Sequence, residues 1–333
     1  MRRRALFIRT DKIGDLVSTL PVDQSEICDD LDVTWVIQKG CEFVVDFAEP
    51  KRRYLAISKD PDGLNNLKDF LRENQFDIAV SFNASAGVHS LLWQARIPVR
   101  AGVLSQWHSF LFLNRGLRQK RSQAEMHEAD YNFQLVKHAL HRETMEATPI
   151  LKMHAPELPE LLTKFGLKSK TYIVVHPGMA GSALNWSVDQ YIAQLKILIK
   201  SHPIVVTGTA MDRKWTQGLK KEFRQGELCF LDEQLDPGQL LYVLAHAKHV
   251  ICPSTGIAHL AASLGTPVTG IYSPIRVHLS RRWGPRGQSD IRILAPNVTC
   301  PEAHQCAGKA CSYYNCMDGV AAVHTLDVKS AQG

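Results

Sequence analysis

The sequence predicts an α/β protein with two doubly wound, parallel-sheet domains that face a cleft. Three observations indicate this class. Short β-rich runs alternate with helical patterns in the first half of the chain, and the alternation restarts after a proline-rich stretch. A chain of 333 residues is also longer than one ordinary core accommodates. We expect an N-terminal domain at 1–150, a linker at 151–170 and a C-terminal domain at 171–333.

The first half is predicted to contain five strands and two long helices. β-branched and aromatic runs bounded by turn residues predict the strands, at residues 5–9, 33–37, 54–57, 77–81 and 99–103. A proline-led helical pattern covers 64–73, and a second covers about 125–141. A mixed aromatic and basic region at 105–121 separates the last strand from the second helix.

The second half repeats the alternation after a short helix at 159–165 near the end of the linker. Predicted strands lie at residues 172–176, 203–207, 228–231, 250–252, 268–272 and 291–294. Predicted helices lie at 192–200, 215–223, 240–247 and 258–264. Because ligands of open parallel sheets bind at the carboxyl ends of the strands, the strand-to-helix turns of both halves are the places to search for a site.

Composition limits the functional classes. Apolar residues make up 45% of the chain and charged residues 22%, as is typical of a soluble globular protein. No run approaches the roughly 20 apolar residues that cross a bilayer, and the run at 5–8 is too short for a signal peptide, so we expect a cytoplasmic protein. The net charge of +6 is compatible with anionic substrates or an anionic membrane surface. It is too small and too scattered to indicate nucleic-acid binding.

The turn after the first strand contains Lys12, Gly14 and Asp15. Gly14 permits a tight bend or a close backbone approach. Asp15 lies near the start of the next helix, where a carboxylate can cap backbone N–H groups. In a cleft the same carboxylate could act as a general base toward a substrate hydroxyl, and the turn alone allows both interpretations.

Two turns of the second half are suited to an anion. The loop after the strand at 172–176 contains Gly178, Gly181 and Ser182, which could present backbone N–H groups and a hydroxyl, although an ordinary long connection fits equally well. The turn at 254–256 is followed directly by a helix, whose N-terminus favours a phosphate. Ser254 and Thr255 add hydroxyl donors there and Gly256 allows close approach. His259, one turn into the helix, has either a structural or a ligand-binding role.

Taken together, these segments resemble glycosyltransferase family 9, the lipopolysaccharide heptosyltransferases. The resemblance rests on five motifs in order, "DKIGDLVSTLP", "HEADYN", "HPGMAGSALNW", "CPSTGIAHLAASLGTP" and "SRRWGPRG", and covers nearly the whole chain. It implies a GT-B architecture of two Rossmann-like domains, with the acceptor bound by the N-terminal half and the nucleotide-sugar donor by the C-terminal half.

The resemblance also implies a reaction. Family members usually transfer heptose from ADP-heptose with inversion, here onto a lipopolysaccharide core or a related phosphorylated glycolipid. By the motif match Asp15 takes the place of the catalytic base, with Lys12 and Gly14 on the acceptor side. The donor-binding positions would be Gly178, Gly181, Ser182, Ser254, Thr255, Gly256, His259, Arg281 and Arg282. The chain departs from well-studied members at Leu184, where they carry a lysine that contacts the donor diphosphate, so Arg281 or Arg282 would have to contribute positive charge.

Two other functions remain possible from the residues. A nucleotide-sugar epimerase or dehydrogenase would need a Gly-x-Gly-x-x-Gly turn after the first strand, and residues 10–15 hold a single glycine. A family member that binds a nucleotide sugar without turnover, or with a different specificity, is the non-enzymatic alternative. No Asp-x-Asp pair lies in a suitable turn, so we expect no essential metal and no cofactor.

Roles can also be predicted for two further segments. Residues 107–121 mix aromatic and basic side chains, which indicates either a helix with its apolar face in the core or a surface that contacts the inner membrane. Four cysteines, Cys300, Cys306, Cys311 and Cys316, follow the last predicted strand without the C-x₂-C spacing typical of zinc sites. Free thiols, a structural metal and disulfides are all open, and we expect the cluster to stabilise a loop without taking part in chemistry.

Overall fold

The computed structural model describes residues 2–179 and 184–320, and these form two compact units. The first comprises the chain up to Pro156 together with Ala262–Gly265 and Arg281–Gln288. The second comprises Glu157–Ala261, Thr266–Ser280 and the residues from Ser289 onwards. Two short segments that the sequence assigned to the C-terminal domain therefore group with the first unit.

The first unit contains eight strands and six α-helices within the described residues. The strands are β1 (Arg3–Arg9), β2 (Leu31–Gln38), β3 (Ala48–Glu49), β4 (Arg53–Ile57), β5 (Ile78–Asn83), β6 (Val99–Val103), β7 (Arg115–Leu117) and β8 (Lys152–Met153). The helices are α1 (Ile13–Val17), α2 (Glu42–Asp46), α3 (Pro61–Glu73), α4 (Ala86–Gln94), α5 (Trp107–Phe112) and α6 (Glu128–Leu140).

Six of these strands form one parallel sheet in the order β4-β2-β1-β5-β6-β7, while β3 and β8 pair as an antiparallel ribbon. The order is that of a Rossmann fold, in which the strand sequence reverses between β1 and β5. Strand β1 is central, and its residues Ala5, Leu6, Phe7 and Ile8 are fully buried. Helices on both faces of a parallel sheet bury its strands on both sides, which explains this unbroken apolar run.

The second unit repeats the same topology. Its strands are β9 (Ile173–Val175), β10 (Ile204–Val206), β11 (Cys229–Phe230), β12 (His249–Pro253), β13 (Val268–Ile271) and β14 (Ile291–Leu294). They pair in parallel in the order β11-β10-β9-β12-β13-β14, so the reversal falls between β9 and β12. The helices are α7 (Pro159–Lys164), α8 (Val188–Leu198), α9 (Arg213–Glu222), α10 (Pro237–Ala245) and α11 (Gly256–Ser263). A short helix, α12 (Ser280–Trp283), begins at the end of the second unit and continues into the segment Arg281–Gln288 of the first. The predicted fold of two Rossmann-like, doubly wound sheets is confirmed.

Residues 107–121 do not form the predicted helix with an apolar face in the core. The helical part ends at Phe112, and β7 follows as the edge strand of the first sheet. The helix also exposes Trp107, Phe110 and Leu111, so its apolar face does not lie in the core. Among the described residues, no helix combines the length and the apolar character that spanning a bilayer requires.

Candidate functional site

In the first unit, the reversal of strand order brings the turn after β1 beside the end of β5. Asn83, the last residue of β5, donates from Nδ2 to the Asp11 carboxylate over 2.8 Å. Ligands of doubly wound sheets bind in the crevice at this position. The turn that carries Lys12, Gly14 and Asp15 therefore lies where the fold class favours a site.

Asp15 pairs with an arginine and is not the capping residue of its helix. Lys12 occupies the N-cap position of α1, its side chain makes no capping hydrogen bond, and Asp15 is the third helical residue. Gly14 is helical as well, so it makes no bend. The Asp15 carboxylate instead forms an ion pair with the guanidinium of Arg9 and keeps 21% of its side-chain surface exposed. A held but accessible carboxylate can accept a proton from a bound hydroxyl.

Arg9, at the end of β1, is the buried centre of this arrangement. Its Nε lies 3.0 Å from Asp11 Oδ2, and its Nη2 lies 3.4 Å from Glu128 Oε1. Burial alone would lower the pKa of Arg9, but Asp15, Glu128 and Asp11 outweigh it, so the pKa is raised and the guanidinium stays charged. Its Nη1 is buried and has no hydrogen-bond partner among the described residues.

Glu128, the first residue of α6, joins three arginines. Its side chain is 1% exposed and is bonded by Arg121, by Arg9 and by Arg282, whose Nε lies 2.9 Å from Oε2. Burial would raise the pKa of Glu128, but Arg121, Arg9 and Arg282 lower it, and the carboxylate remains ionised. Burial lowers the pKa of Arg121 to about 10, with Glu128 opposing the shift. We name Arg9, Asp15, Arg121, Glu128 and Arg282 the arginine–carboxylate cluster.

Two of the five sequence motifs are joined inside the first unit. "HEADYN" supplies Glu128 and Asp130, and "SRRWGPRG" supplies Arg282 and Arg286. Arg286 binds Asp130 with two parallel hydrogen bonds of 2.8 and 2.6 Å, and His127 Nε2 donates to the carbonyl oxygen of Gly284 over 2.7 Å. The Arg282 guanidinium, expected at the donor, is thus engaged by Glu128. Arg281 is exposed, and the donor-binding role of both arginines stays a prediction.

A chain of hydrogen bonds runs through two histidines beside the cluster. His108 Nε2 donates to Gln106 Oε1 over 2.6 Å, which leaves His108 Nδ1 as the acceptor of a 2.9 Å bond from His89 Nδ1. His89 Nε2 then accepts from the Ser81 hydroxyl, also over 2.9 Å. Burial, together with the nearby His108, lowers the pKa of His89 to about 4. The His89 ring is therefore neutral at physiological pH.

These groups line one pocket of about 380 Å³. Its wall includes Arg9, Asp15, Ser81, Asn83, His89, Gln106, His108, Gln119, Arg121, Ser122, Glu128 and Arg282. The volume suits part of a sugar or a similarly sized polar group. The wall combines an accessible carboxylate, charged donors and neutral hydrogen-bonding groups, which is the chemistry needed to bind and deprotonate a polyol.

In the second unit, the reversal point places the ends of β9 and β12 side by side, since His176 donates its backbone N–H to the Ile251 carbonyl over 3.0 Å. Ser254 and Thr255 follow β12 directly, and α11 begins at Gly256. Both residues are partly exposed, although the Thr255 Oγ1 atom itself is buried, and the Ser254 hydroxyl hydrogen-bonds with the phenol of Tyr272. The N-terminus of α11 thus opens at the edge of the sheet where anions are bound in this fold class.

The other predicted donor residues have different surroundings. His259 lies within α11 and is buried. Gly178 follows β9, and a Cβ added there would lie 1.8 Å from Asp212 Oδ1, so another side chain would displace Asp212. His176 lies between Thr207 and Asp212, and burial lowers its pKa. Gly181 and Ser182 fall outside the described residues.

Leu184 and the four cysteines belong to the second unit. Leu184 packs, partly buried, against the apolar core of that unit. Cys300, Cys306, Cys311 and Cys316 line a second pocket of about 590 Å³, and the Cys316 thiol has its pKa raised by burial and by the other three. All eight cysteines are free thiols. Among the described residues, no group of three or more His, Cys, Asp or Glu side chains is arranged to hold a metal ion.

The family model described as glycosyltransferase family 9 (heptosyltransferase) matches residues 65–312. The chain belongs to glycosyltransferase family 9. A Haemophilus influenzae protein named "Putative glycosyltransferase" is 27% identical over 318 residues, which cover 90% of each chain. Lipopolysaccharide heptosyltransferase 1 of Pseudomonas aeruginosa is 21% identical over 338 residues, covering 93% of this chain and 88% of that protein.

Solved structures show the same fold. A glycosyltransferase family 9 protein of Veillonella parvula has a TM-score of 0.74 at 17% identity, over 88% of this chain and 86% of its own. ADP-heptose lipopolysaccharide heptosyltransferase II of E. coli has a TM-score of 0.72 at 17% identity, over 88% and 90%. A second E. coli heptosyltransferase, solved with ADP, has a TM-score of 0.66 at 18% identity, over 87% and 93%. The GT-B class predicted from the motifs is confirmed.

Of the residues that line the pocket, Asp15 and Arg282 were predicted from the sequence to belong to a site, and no others were. Arg9 was predicted only as the last residue of the first strand. Glu128 lies in the "HEADYN" motif, but no role was predicted for it. Ser81, His89 and His108 carried no signal, because α4 was not predicted and no spacing links the three. The detectable signal was charge. One motif carries two carboxylates, Glu128 and Asp130, and the other carries two arginines, Arg282 and Arg286, that could pair with them.

Proposed function

We propose that this glycosyltransferase moves heptose from ADP-heptose onto a lipopolysaccharide core or a related phosphorylated glycolipid, with inversion at the anomeric carbon. The observation that carries the proposal is the accessible Asp15 carboxylate, held by Arg9 in a polar pocket at the reversal point of the first sheet. The heptosyltransferases among the relatives, and the bound ADP named for one of them, support the donor class.

The proposed step uses Asp15 as general base. The acceptor oxygen attacks the anomeric carbon while its proton passes to an Asp15 carboxylate oxygen. The bond between that carbon and the diphosphate oxygen breaks, and the electron pair leaves with ADP. Arg9 would keep the Asp15 carboxylate oriented before the transfer, since Arg9 is itself fixed by Asp11 and Glu128.

The second unit would bind the donor. The N-terminus of α11, with Ser254, Thr255 and Gly256, would stabilise the growing negative charge on the leaving diphosphate. Leu184 supplies no charge at the position where related enzymes carry lysine, so backbone N–H groups and hydroxyls would carry more of this interaction. We expect the transfer to need no divalent cation, and activity should therefore persist in excess EDTA. Complete loss of activity that magnesium restores would contradict this part of the proposal.

The alternative is a family member that binds a nucleotide sugar without turnover or with another specificity. Leu184 favours it, because its side chain packs on the core instead of reaching a diphosphate. Isothermal titration with ADP and with UDP, paired with a donor-hydrolysis assay, separates the two. Tight ADP binding without hydrolysis or transfer would favour the alternative, and preferential UDP binding would replace the donor.

The direct test is Asp15→Asn, with Asp11→Asn as the matched control. Both carboxylates pair with Arg9, so both variants remove one negative charge from the same guanidinium. Asp15→Asn should lower turnover by about 10²–10⁴-fold, the usual contribution of a general base, while leaving the ADP dissociation constant unchanged. Asp11→Asn should retain most of the turnover. Equal losses in the two variants would show that the charge around Arg9 matters and that Asp15 is not the base.

A further inference from the structure

Helix α5 of the first unit exposes apolar side chains and buries polar ones, the reverse of an ordinary surface helix. Trp107, Phe110 and Leu111 are 71%, 51% and 65% exposed, and their spacing of three and four residues places them on one face. His108 and Ser109, which are polar, are buried. Soluble proteins usually place the apolar stripe of a helix in the core, so this inversion calls for an external partner.

The exposed surface extends beyond α5. Trp93 of α4 is 54% exposed, and its ring lies 6.2 Å from that of Phe112. The guanidinium of Arg118, also exposed, lies 5.3 Å from the centre of the Phe110 ring. We call the surface formed by Trp93, Trp107, Phe110, Leu111 and Arg118 the aromatic face.

The chain around the aromatic face contains no acidic residue. Between Asp77 and Glu125 the sequence has neither Asp nor Glu, while it contains Arg96, Arg100, Arg115, Arg118, Lys120 and Arg121. These six cations equal the formal net charge of +6 of the whole protein, so basic and acidic residues balance in the remainder. Arg96, Arg118 and Lys120 are exposed. The segment is therefore both apolar and strongly cationic.

We propose that the aromatic face docks onto a bilayer that contains anionic lipid. Tryptophan and phenylalanine enter the boundary between headgroups and acyl chains, and neighbouring Lys and Arg are attracted to anionic headgroups. A second copy of the chain is a poor occupant, because two such segments would bring cations against cations without acidic residues in the segment to compensate.

The same helix connects the aromatic face with the pocket. Gln106, His108 and Ser109 line the pocket. Their sequence neighbours Trp107 and Phe110 are exposed on the aromatic face. This part of the inference rests on the proposed function. An acceptor anchored in the bilayer by its acyl chains would then be separated from the pocket by a single helix, whose diameter is about 10 Å.

The experiment is co-sedimentation of the full chain with phosphatidylcholine vesicles, with and without phosphatidylglycerol, at low and at high salt. We expect binding to the anionic vesicles that weakens at high salt. The variant Trp107→Ser/Phe110→Ser/Leu111→Ser should lower partitioning at least tenfold. Arg118→Gln/Lys120→Gln should lower it by about fivefold for each charge removed.

Matched controls remove similar groups elsewhere. Met145→Ser/Met211→Ser replaces two apolar side chains that are 101% and 69% exposed, and Lys200→Gln/Lys221→Gln removes two exposed cations of the second unit. Both control variants should bind vesicles like the wild type. Because the triple variant changes exposed side chains outside the pocket wall, its circular dichroism and its ADP dissociation constant should also be unchanged.

Three outcomes would overturn the proposal. These are absent binding of wild-type protein to anionic vesicles, unchanged binding of the triple variant, and self-association without vesicles that the triple variant abolishes. The last would make the aromatic face an interface between copies. A wild-type chain that binds vesicles but not ADP would contradict the proposed function and leave the docking surface standing.

Discussion

The two sheets have the same strand order, yet the turns at their reversal points carry different chemistry. At the first, Arg9 and Asp15 belong to a buried arginine–carboxylate cluster completed by Arg121, Glu128 and Arg282. At the second, residues 253–256 contain no charged side chain; two hydroxyl residues and a glycine lie there at the start of α11. One topology thus carries two candidate sites of different chemistry, one with fixed charges and one at a helix N-terminus.

The difference fits the two ligands of a sugar transfer. A polyol acceptor carries no strong charge where it reacts, so the protein must supply the base and hold it in position. A nucleoside diphosphate brings its own charge, and oriented N–H groups at a helix N-terminus can bind it without a buried cation. The comparison predicts that removing a charge impairs the site of the first unit. It also predicts that blocking N–H and hydroxyl groups impairs the site of the second.

The largest effect should follow Glu128→Gln. The change leaves Arg9, Arg121 and Arg282 without their shared carboxylate, and breaking a buried ion pair by removing one partner typically costs about 3–5 kcal/mol. We expect urea denaturation to show that the free energy of unfolding of the first unit falls by about this amount. The matched variant Glu222→Gln breaks an exposed pair with Lys196 in the second unit and should cost less than about 1 kcal/mol. Similar costs in both variants would mean that the cluster is not a stabilising unit.

Much of the fold followed from the sequence alone. The strands β6 and β14 match their predicted bounds, because short apolar runs flanked by turn residues have few alternatives. The proline-led start of α3 and the glycine-led start of α11 were also recognisable from local chemistry. The edge strand β7 was missed because its sequence, Arg115-Gly116-Leu117, has almost no apolar alternation.

The candidate site was less predictable, because its residues come from distant segments. Asp15 and Glu128 are separated by more than a hundred positions, and only the sheet topology brings both to Arg9. Arg282 was expected on the donor side from the family resemblance of its motif, whereas its segment groups with the first unit. Single-sequence patterns describe local structure, and they contain no information on which carboxylate meets which guanidinium.

The second effect concerns the uncharged site. Thr255→Val/Gly256→Val should weaken ADP binding roughly ten- to a hundred-and-fiftyfold, since hydrogen bonds to a charged group contribute about 1.5–3 kcal/mol. Asp236→Ala is the control, because it removes the N-cap hydrogen bond of α10 without changing the turn after β12. It should lower stability by about 1 kcal/mol and leave ADP binding intact. An unchanged ADP dissociation constant in a folded double variant would remove the phosphate-binding role from this turn.

A third prediction tests whether each unit contains its own acid-sensitive histidine. Burial, with His108 beside it, lowers the pKa of His89 in the first unit to about 4, and burial, with Arg292 nearby, lowers that of His249 in the second to about 4. The folded state therefore binds fewer protons than the unfolded chain, whose histidines titrate near 6.5. The stabilisation is complete above pH 6.5 and is lost as the pH falls toward 4, by about 2 kcal/mol per histidine between pH 7 and pH 5.

Urea titrations at the two pH values check this prediction. His89→Gln should reduce the acid sensitivity of the first unit alone, and His249→Gln that of the second alone. His154→Gln is the control, since that side chain is largely exposed. If neither buried-site variant changed the pH dependence, acid sensitivity would have to come from the carboxylates of the arginine–carboxylate cluster.

The smallest effect should follow Cys306→Ser/Cys311→Ser in the second unit. The two thiols accept backbone N–H groups from Gly308 over 3.3 Å and from Tyr313 over 3.4 Å, and the segment is bound to α8 because Gln190 Nε2 donates to the Met317 carbonyl over 2.8 Å. These contacts indicate a loop-stabilising role, so the variant should lose about 1 kcal/mol, or about 2–4 °C in melting temperature.

Turnover of the folded double variant should stay near that of the wild type, and so should its ADP dissociation constant. Cys229→Ser, a half-buried cysteine outside the cluster, provides the control for replacing a thiol by a hydroxyl. A large loss of turnover at unchanged stability would place the cysteines in the active site. The second unit would then contain reactive side chains after all, and the contrast between a charged first site and an uncharged second site would no longer hold.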